Sequence, residues 1–238
     1  MEETFNITVE MLRVKGACAS GMRDFLKEFP REQYPDGADY QEVLNRCAEH
    51  ERSDYAEWLF KGFGATNTTL TADEINTDGY VFFAGRIEAR GEIRCKAIRA
   101  GWGIKAGWGI KADCGIKAGW GIKAGEGIEA GRDIEAGEGI EAGCGIEAGC
   151  GIKAGCGIKV GWGIKADCGI KAGEGIKAGE GIEAGEGIKA GEGIEAGEDF
   201  GVYAGLAVRL SHKSRDAKIT AKEKPANIIC GEWVPFDD

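Results

Sequence analysis

Features that would indicate a membrane, secreted or disulfide-bonded protein are missing from this chain. No apolar run approaches the roughly 20 residues that a membrane-spanning helix needs. The segment that starts Met1-Glu2-Glu3 lacks the basic region and the apolar stretch of a secretory signal. The nine cysteines are an odd number, and no two of them show C-x-x-C spacing. We therefore expect a cytoplasmic protein with reduced thiols and no membrane contact.

Proline is scarce, with 4 residues, whereas glycine is abundant, with 41, and it is arranged in a strict repeat. Seventeen consecutive six-residue steps separate Ile98 from Phe200, and each follows the pattern Ile-(Lys/Glu)-Ala-Gly-X-Gly with minor changes. A period held without insertion predicts a solenoid, because each unit can bury its apolar residue only against a neighbouring coil. Two glycines in every six residues exclude a helix, and collagen needs glycine at every third position.

The chemistry of the unit predicts which side chains point inward. Isoleucine is inward, the following Lys or Glu is outward, and Ala is inward again by the alternation of a strand. Position X is Arg132 once and is glutamate at seven places, so it must point outward. Gly-X-Gly is then a corner whose glycines supply backbone freedom. Three hexads make a triangular coil of about 18 residues, and a flat coil of two hexads is the alternative.

Six-residue repeats with an inward aliphatic residue resemble the hexapeptide β-helix family over about half of the chain. That family usually places a small residue two positions before the aliphatic residue, where this chain has Trp, Glu or Cys. Here the small residue is the alanine two positions after the isoleucine, which leaves the handedness open. The fold we expect is mainly β, a parallel β-helix (solenoid) of six-residue repeats with a small α-helical N-terminal cap.

Residues 1–70 lack the repeat and predict a helical cap module. Its expected helices are Val9–Val14, Gly21–Phe29, Tyr40–Glu49 and Asp54–Phe63. In the last helix Asp54 and Glu57 are spaced like a capping pair. The module resembles small helical modules that precede repeats in proteins of phages and other mobile elements. The stretches that carry this resemblance are Gly16-Ala17-Cys18, Phe25-Leu26-Lys27-Glu28-Phe29 and Asp54-Tyr55-Ala56-Glu57-Trp58-Leu59.

The solenoid is expected over residues 71–206, with inward anchors from Ile75 to Leu206. One residue is missing between Ile93 and Ile98, which predicts a tightened corner. This length gives between seven and eight coils and a rod of about 35 Å. Open ends of a β-solenoid invite edge pairing. Residues 207–238 are therefore interpreted as a C-terminal cap or a self-association arm, which allows a homodimer.

Residues that could carry chemistry are few. Hexapeptide-family acyltransferases resemble the repeats in period and use a histidine as general base, but His50 and His212 both lie outside the repeats. We therefore predict that the protein is not an enzyme, with no catalytic residues and no cofactor. The corner cysteines are interpreted either as a metal site or as small residues that the corner tolerates. We favour the second interpretation and predict no metal. These cysteines are Cys114, Cys144, Cys150, Cys156 and Cys168, of which Cys150 and Cys168 share a column.

Charge is unevenly distributed within the net −10. Residues 1–74 carry 15 acids and 8 bases, residues 86–123 carry 3 acids and 9 bases, and residues 124–200 carry 16 acids and 7 bases. The rod is thus expected to be electrically polar along its axis. Solvation of an exposed column explains the charges equally well. However, the sorting of the two signs is what a surface that steers a partner needs.

Two outward sets are candidate partner-binding residues. Trp102 and Trp120 fall on one corner column, and Trp108 and Trp162 fall on a second. Exposed tryptophans often mark contact surfaces, and packing over the glycine backbone of adjacent coils is the alternative. The second set is the acidic corner column near the C-terminal end with two strand glutamates, namely Glu174, Glu180, Glu183, Glu186, Glu192, Glu195 and Glu198.

These features lead to two hypotheses of function. The first is a non-catalytic interaction protein whose acidic solenoid mimics nucleic acid, similar in shape and charge to pentapeptide-repeat rods that imitate DNA. It implies a phage or mobile-element inhibitor that binds the basic surface of a host nucleic-acid-binding or defence protein, with no direct binding of nucleic acid. The second is a bactofilin-like polymeric scaffold, because Ile75–Ile98 resembles the Gly-punctuated repeats of that family. A polymer needs exposed ends, whereas both ends here carry non-repeat segments.

Overall fold

The computed structural model describes residues 5–207 and 216–236, and these residues form four helices and 28 strands. The helices are α1 (Val9–Val14), α2 (Ala19–Glu28), α3 (Tyr40–Glu49) and α4 (Ser53–Phe63). A short antiparallel pair joins β1 (Asn6–Ile7) to β2 (Ala38–Asp39) inside the helical module. Within the described ranges, no helix has the length and apolar character to cross a bilayer.

All the other strands belong to three parallel sheets, which are the three faces of a solenoid. Face 1 contains β3 (Thr69–Ala72), β6 (Arg86–Ala89), β9 (Ile104–Ala106), β12 (Ile122–Ala124), β15 (Ile140–Ala142), β18 (Ile158–Val160), β21 (Ile176–Ala178) and β24 (Ile194–Glu195). Face 2 contains β4 (Ile75–Asn76), β7 (Ile93–Cys95), β10 (Ile110–Ala112), β13 (Ile128–Ala130), β16 (Ile146–Ala148), β19 (Ile164–Ala166), β22 (Ile182–Ala184), β25 (Val202–Ala204) and β27 (Ile228–Cys230). Face 3 contains β5 (Tyr80–Phe83), β8 (Ala97–Ala100), β11 (Ile116–Ala118), β14 (Ile134–Ala136), β17 (Ile152–Ala154), β20 (Ile170–Ala172), β23 (Ile188–Ala190), β26 (Lys218–Ala221) and β28 (Glu232–Pro235).

The register of the sheets confirms the triangular coil of 18 residues. Ile110 pairs with Ile128, and the neighbouring positions pair in step, so each residue stacks on its counterpart one coil away. The flat coil of two hexads is therefore wrong. Two faces have nine strands each. At the usual strand spacing, nine rungs make a rod of about 38 Å.

The coils are joined by hydrogen bonds at the corners as well as on the faces. The amide of Trp120 donates to the carbonyl oxygen of Trp102 at 3.2 Å, and the amide of Ile104 donates to Gly121 at 3.0 Å. Parallel strands linked in this way satisfy the backbone groups of the corner, which would otherwise lose hydrogen bonds on folding. The outward side chains at the corners consequently stand on a regular backbone ladder.

The core is built from two stacked columns per face, one of isoleucine and one of alanine. The isoleucines from Ile104 to Ile188 are each no more than 2% exposed. The alanines that follow them two positions later are also buried, with Val160 taking one of their places. Stacks of identical side chains fill the interior evenly, because every coil meets a neighbour of the same shape.

The first glycine of a corner is needed for the close approach of coils. A Cβ atom on Gly125 would lie 2.0 Å from the carbonyl oxygen of Gly107 in the preceding coil, whereas one on Gly127 would lie 3.4 Å from that of Gly145. Glycines with positive φ occur only outside the Ile98–Phe200 repeats, at Gly16, Gly37, Gly64, Gly205 and Gly231. The expectation that both corner glycines supply special backbone freedom is therefore corrected. The first provides space for a carbonyl group, and the second is sterically less restricted.

The start of the solenoid lies slightly earlier than expected. Strand β3 on face 1 pairs Leu70 with Ile87, so Leu70 precedes Ile75 as the first anchor. The tightened corner is confirmed, because a single residue, Lys96, separates β7 from β8. The inward side chains stay in register beyond this shortened corner, because Ile98 on β8 pairs with Ile116 on β11 of the same face.

Near the C-terminal end, the predicted anchors Phe200 and Leu206 are wrong. Their side chains are 44% and 54% exposed, and Val202 takes the inward position by pairing with Ile182. The step from Ile182 to Val202 is two residues longer than a regular coil. These two residues enlarge the corner that contains Phe200, and they carry its aromatic ring out of the core.

Strands also continue into the segment that the sequence assigned to a cap or arm. Ile219 pairs with Ile188 on face 3, and Val202 pairs with Ile228 on face 2. Strand β28 then pairs with β26 as the last rung of face 3. Parts of the 207–238 segment, at 208–215 and 237–238, lie outside the described residues. Self-association through this segment stays a prediction.

The helical module packs on the first strand of face 3. The side chain of Gln41 on α3 donates to the carbonyl oxygen of Phe82 and accepts from the amide of Ala84, each at 2.8 Å. These bonds engage backbone groups of the edge strand β5 and of Ala84, which would otherwise be free to pair with another strand. Helix α3 and strand β5 are thus held together by both hydrogen bonds and packing of Phe82 in the module's apolar core.

The bounds of α1 and α3 agree with the sequence prediction, whereas α2 ends one residue early at Glu28 and α4 begins one residue early at Ser53. Helix α2 begins at Ala19, two residues before the predicted start, with Cys18 as its N-cap. The predicted capping pair of α4 is wrong, because its N-cap is Arg52 and no side chain caps it. Asp54 is instead held by two hydrogen bonds from Arg52, at 2.9 and 2.8 Å. Glu57 points to the solenoid.

We predict that Ile146→Asp destroys cooperative folding, because Ile146 is 2% exposed and an isolated carboxylate cannot be buried there. The expected loss exceeds about 4 kcal/mol in the free energy of unfolding. The matched control is Cys144→Asp in the same coil, at an outward corner, with an expected change within about 1 kcal/mol. Denaturant unfolding followed by circular dichroism measures both, and equal stability of the two variants would contradict the assignment of inward positions.

A second comparison tests the close approach at the corners. Gly125→Ala should lower the free energy of unfolding by more than about 2 kcal/mol, because its Cβ collides with a backbone carbonyl group. Gly127→Ala should stay within about 1 kcal/mol of the parent protein. Both glycines belong to one corner, and their substitutions add the same methyl group. A similar loss in both, measured by urea denaturation, would refute the steric explanation.

Candidate partner-binding surfaces

Three outward columns run along the corners of the rod, and the amide-to-carbonyl ladder fixes their order. Corner I, between face 3 and face 1, carries Trp102, Trp120, Glu138, Cys156, Glu174 and Glu192. Corner II, between faces 1 and 2, carries Trp108, Glu126, Cys144, Trp162, Glu180 and Glu198. Corner III, between faces 2 and 3, carries Cys114, Arg132, Cys150, Cys168 and Glu186.

The predicted acidic corner residues do not form a single column. The structure places Glu174 and Glu192 on corner I, Glu180 and Glu198 on corner II, and Glu186 on corner III. This corrects the sequence interpretation, because residues six apart are on successive corners and only residues eighteen apart stack. The two strand glutamates are also separated, with Glu183 on face 2 and Glu195 on face 1.

Ion pairs between adjacent coils neutralise much of the charge on the faces. The N–O distance is 2.7 Å for Lys111–Glu129, 2.9 Å for Lys123–Glu141, 3.0 Å for Lys165–Glu147 and 2.7 Å for Lys177–Glu195. Exposed pairs of this kind contribute only about 0–1 kcal/mol each to stability. Their effect on recognition is larger, because a paired glutamate such as Glu195 presents little net charge to a partner.

Unpaired carboxylates gather on face 2 at its C-terminal end. Glu180, Glu183 and Glu186 cross this face in one coil, and Glu198 and Asp199 follow in the next. We call these five residues the acidic patch. In the part of the chain that is described, none of them has an ion pair within 4 Å. A surface groove of about 780 Å³ runs along face 2 and reaches Glu180, Glu183 and Asp199.

Face 3 has the opposite sign at the same height of the rod. Lys153, Lys171 and Lys189 stack in register, and with Lys218 they line a groove of about 440 Å³. The ammonium group of Lys189 lies 5.1 Å from the ring centre of Phe236. The rod is therefore not simply acidic at one end, because charge is sorted by face as well as along the axis.

Three of the four repeat tryptophans are exposed, as expected for contact residues. The exposed fractions are 63% for Trp108, 46% for Trp120 and 58% for Trp162. Trp102 packs against Trp120 with ring centres 4.2 Å apart. Its indole Nε1 is buried without an acceptor among the described residues. Packing on a neighbouring coil therefore applies to the pair Trp102 and Trp120, whereas Trp108 and Trp162 have no ring partner among the described residues.

The cysteines are spread over all three corners. The amide of Cys168 donates to the carbonyl oxygen of Cys150 at 3.0 Å, and burial raises the pKa of the Cys168 thiol. Across residues 5–207 and 216–236, no three His, Cys, Asp or Glu side chains come together to hold a metal ion. His50 lies 3.4 Å from Glu28, and His212 is outside the described residues. The non-catalytic, metal-free interpretation stays a prediction.

Sequence reasoning missed the contact between the module and face 3. Glu57 on α4 reaches Lys117 at 3.4 Å and Arg99 at 3.6 Å, and the Arg99 guanidinium lies 4.7 Å from the ring centre of Phe60. Burial alone would raise the pKa of Glu57, but Lys117, Lys61 and Arg99 outweigh it, and the pKa falls below its usual value. Arg99 is an arginine where the next coil of its column has Lys117, and this difference was the signal that the sequence offered.

A cleft inside the helical module was also not anticipated. It has a volume of about 630 Å³ and lies among α1, α2, α3 and α4, with Phe25, Phe29 and Leu59 in its lining. Cys47 lies at its buried side, where burial raises the pKa of the thiol to about 12. Apolar faces of α2 and α4 predicted a core here, but the sequence did not indicate the empty space between them.

The outward residues repeat with a longer period that the six-residue analysis overlooked. The twelve residues of 108–119 are identical to those of 162–173. The two segments are 54 residues apart, which is three coils, so they present the same side chains on the same corners and faces. Three coil steps separate them by about 14 Å. The identity of the two segments is visible in the sequence, but only the coil length shows that they lie on the same side of the rod.

Comparison with known proteins finds a similarity in one part of the chain. Residues 1–63 match the model of a family described as the YdhT N-terminal domain. The match covers the helical module and ends before the first strand of the solenoid. No curated protein and no solved structure matches the chain. The resemblances to hexapeptide-repeat proteins and to mobile-element modules stay predictions.

The lowered pKa of Glu57 predicts a pH dependence of stability. A carboxylate with a depressed pKa in the folded state stabilises the fold above its unfolded pKa, about 4.3, and loses this effect as pH falls through the folded value. Glu57→Gln should therefore be less stable than the parent protein at pH 7, and the difference should disappear below about pH 4. Urea midpoints at several pH values measure it. Glu49→Gln, on an exposed pair with Arg46, is the control, and a pH-independent difference would contradict the role of Glu57.

Proposed function

We propose that this chain is a non-catalytic interaction protein whose acidic patch occupies, on a partner protein, a surface built for nucleic acid. The observation that carries the proposal is the row of Glu180, Glu183 and Glu186 across face 2, without ion pairs in the described part of the chain. It is a local excess of negative charge in a rod whose other face charges are largely paired between coils.

The solenoid supports this role because it holds the carboxylates rigidly. Each coil is bonded to its neighbours, so Glu180, Glu183 and Glu186 keep fixed positions across face 2. A rigid surface loses little conformational entropy on binding. A partner that holds phosphates with Lys and Arg would find carboxylates in a regular arrangement, and the complementary charges would accelerate association.

The identity of the partner rests on resemblance alone. Rods of pentapeptide repeats that imitate DNA are similar in shape and charge, and they suggest an inhibitor of a host defence or DNA-handling protein. A phage or mobile-element origin would agree with this activity. The family match at residues 1–63 supports a separate module at the start of the rod, and it assigns no activity to it.

The bactofilin-like scaffold remains the second candidate. A stack of parallel coils favours it, since open ends of such a stack can join. The helical module weighs against it, because Gln41 binds backbone groups beside the first strand of face 3. End-to-end joining there would have to displace α3. Filaments seen by electron microscopy at micromolar concentration would support the scaffold over the interaction protein.

The proposed function predicts a face-specific effect of charge reversal. The partner is captured from a bacterial lysate on the immobilised chain, eluted with salt, identified and purified. Glu180→Lys with Glu183→Lys should weaken its binding at least about tenfold, because like charges then oppose the partner's Lys and Arg. Binding of the parent chain should fall steeply with salt, and DNA or RNA should compete for the same partner surface.

The matched control is Glu126→Lys with Glu129→Lys, three coils earlier on the same corner and the same face. It changes the charge equally but lies outside the acidic patch, so the affinity should stay within about threefold. Circular dichroism should show both variants folded. Equal affinity of the two variants, or a captured partner that nucleic acid does not displace, would reject the nucleic-acid mimic.

A further inference from the structure

Two thiols stand next to each other on corner III. The amide of Cys168 donates to the carbonyl oxygen of Cys150 at 3.0 Å, so the two residues occupy the same corner position in successive coils. Both side chains are half-buried. All nine cysteines lie in the described ranges, and no other two of them are neighbours in a column of the solenoid. Cys114 is on the same corner, but Arg132 separates it from Cys150.

This stacking brings the two cysteines within the range of a disulfide bond. Successive coils lie about 4.8 Å apart, and the Cα atoms of disulfide-bonded cysteines are usually about 4.4–6.8 Å apart. A disulfide also requires that the two Cα–Cβ bonds do not point away from each other. Cys150 and Cys168 both point outward in register, so this requirement is met. Corner III can therefore accept a crosslink between its coils with little movement of the backbone.

We propose that Cys150 and Cys168 form a reversible disulfide, which makes this corner a site of oxidation by small disulfides such as glutathione disulfide. One thiolate of the pair attacks a sulfur atom of glutathione disulfide and releases one glutathione. The other thiolate attacks the protein sulfur of the mixed disulfide and releases the second glutathione. Two protein S–H bonds are lost and one protein S–S bond forms. The two protons and two electrons reduce glutathione disulfide to two thiols.

Proximity, rather than an activated thiol, supports the second step of this exchange. Burial, the Cys150 thiol, Glu186 and Asp133 raise the pKa of the Cys168 thiol. Because the thiolate is the attacking species, a raised pKa slows attack at neutral pH. The stacked position offsets this effect, since a thiol that is already beside the mixed disulfide reacts at a high effective concentration. The pair therefore stays reduced in reducing surroundings and closes when glutathione disulfide accumulates.

The crosslink would fasten two coils directly beside the acidic patch. The amide of Glu186 donates to the carbonyl oxygen of Cys168 at 3.0 Å, so the coil that carries Glu186 follows the linked pair. A disulfide between residues eighteen apart reduces the conformational freedom of the unfolded chain, so the oxidised protein should be more stable than the reduced protein. The site needs only the stacking of the coils and does not depend on the proposed function above.

The chain contains a matched control for this pair. Cys114 lies in segment 108–119, which is identical to segment 162–173 that contains Cys168. It stands on the same corner, but its neighbours in the column are Lys96 and Arg132. No stacked thiol can therefore resolve a mixed disulfide at Cys114. The local sequence is the same for both cysteines, and only the residues stacked on them differ.

The test incubates the full chain with glutathione disulfide under native conditions and follows the intramolecular disulfide by mass spectrometry after alkylation. Cys150→Ser and Cys168→Ser should form it at least about tenfold more slowly than the parent chain, because each variant lacks one of the stacked thiols. Cys114→Ser should form it at the rate of the parent chain. Circular dichroism first shows that each variant is folded.

The Cys114→Ser variant also locates the crosslink. Trypsin releases 112–117 and 166–171 as peptides of the same sequence, and this substitution makes them different. In the oxidised variant, peptide 133–153 should be joined to peptide 166–171. Its urea midpoint should be higher than that of the reduced variant, and dithiothreitol should reverse the difference.

Three results would overturn the proposal. The first is the absence of the crosslink between 133–153 and 166–171, with glutathione left on Cys168. The second is an equal rate of disulfide formation in Cys114→Ser and Cys168→Ser. The third is a main product of disulfide-linked dimers on a non-reducing gel, which would assign these thiols to a contact between copies. A reversible crosslink that requires Cys150 and Cys168 but not Cys114 supports the site.

Discussion

The stacking of each coil directly on the next is the constraint on which the rest of this structure depends. It requires a corner residue with no side chain where one coil's carbonyl oxygen comes within 2.0 Å of the position of a Cβ atom, as at Gly125. It requires one inward shape repeated eighteen residues later, as isoleucine on isoleucine. When these two requirements are met, hydrogen bonds run continuously along the faces and the corners. The fold then needs neither disulfide bonds nor a large apolar interior.

The same constraint leaves the outward positions free to vary. Strand centres and corner X residues contribute little to the core, so their charge and size are available for recognition. The structure indicates that they are organised by face. Face 2 ends in the acidic patch, face 3 carries Lys153, Lys171 and Lys189, and face 1 has tryptophans along both edges. A narrow rod can therefore present three surfaces of different chemical character.

Much of the fold was predictable, because the six-residue pattern reports directly on burial. The inward isoleucine and alanine, the coil of 18 residues, the tightened corner before Ile98 and the helices α1 and α3 all follow from local pattern. Phe200 was misassigned because an aromatic residue happens to fall on the six-residue step, while two extra residues in its corner shift the register. The local sign of this corner is Gly201 directly after Phe200, where a regular unit has Lys or Glu.

The candidate surfaces were less predictable, because they depend on which residues stack. The corner glutamates were read as one column, whereas the coil distributes them over three. The role of Glu57 depends on Arg99 and Lys117, which are distant in sequence and approach only when α4 docks on face 3. The segments 108–119 and 162–173 are identical, but only the coil length shows that they lie on the same side.

The most direct test of this account is the distance along corner II between positions 108 and 180. With the accessible cysteines replaced by serine, spin labels on Trp108→Cys and Glu180→Cys report it by pulsed electron resonance. The backbone ladder from Trp108 to Glu180 has four coil steps, which predicts a separation of about 19 Å. A coil of two hexads would require six steps and about 29 Å. The longer distance would contradict the triangular coil and every surface assigned from it.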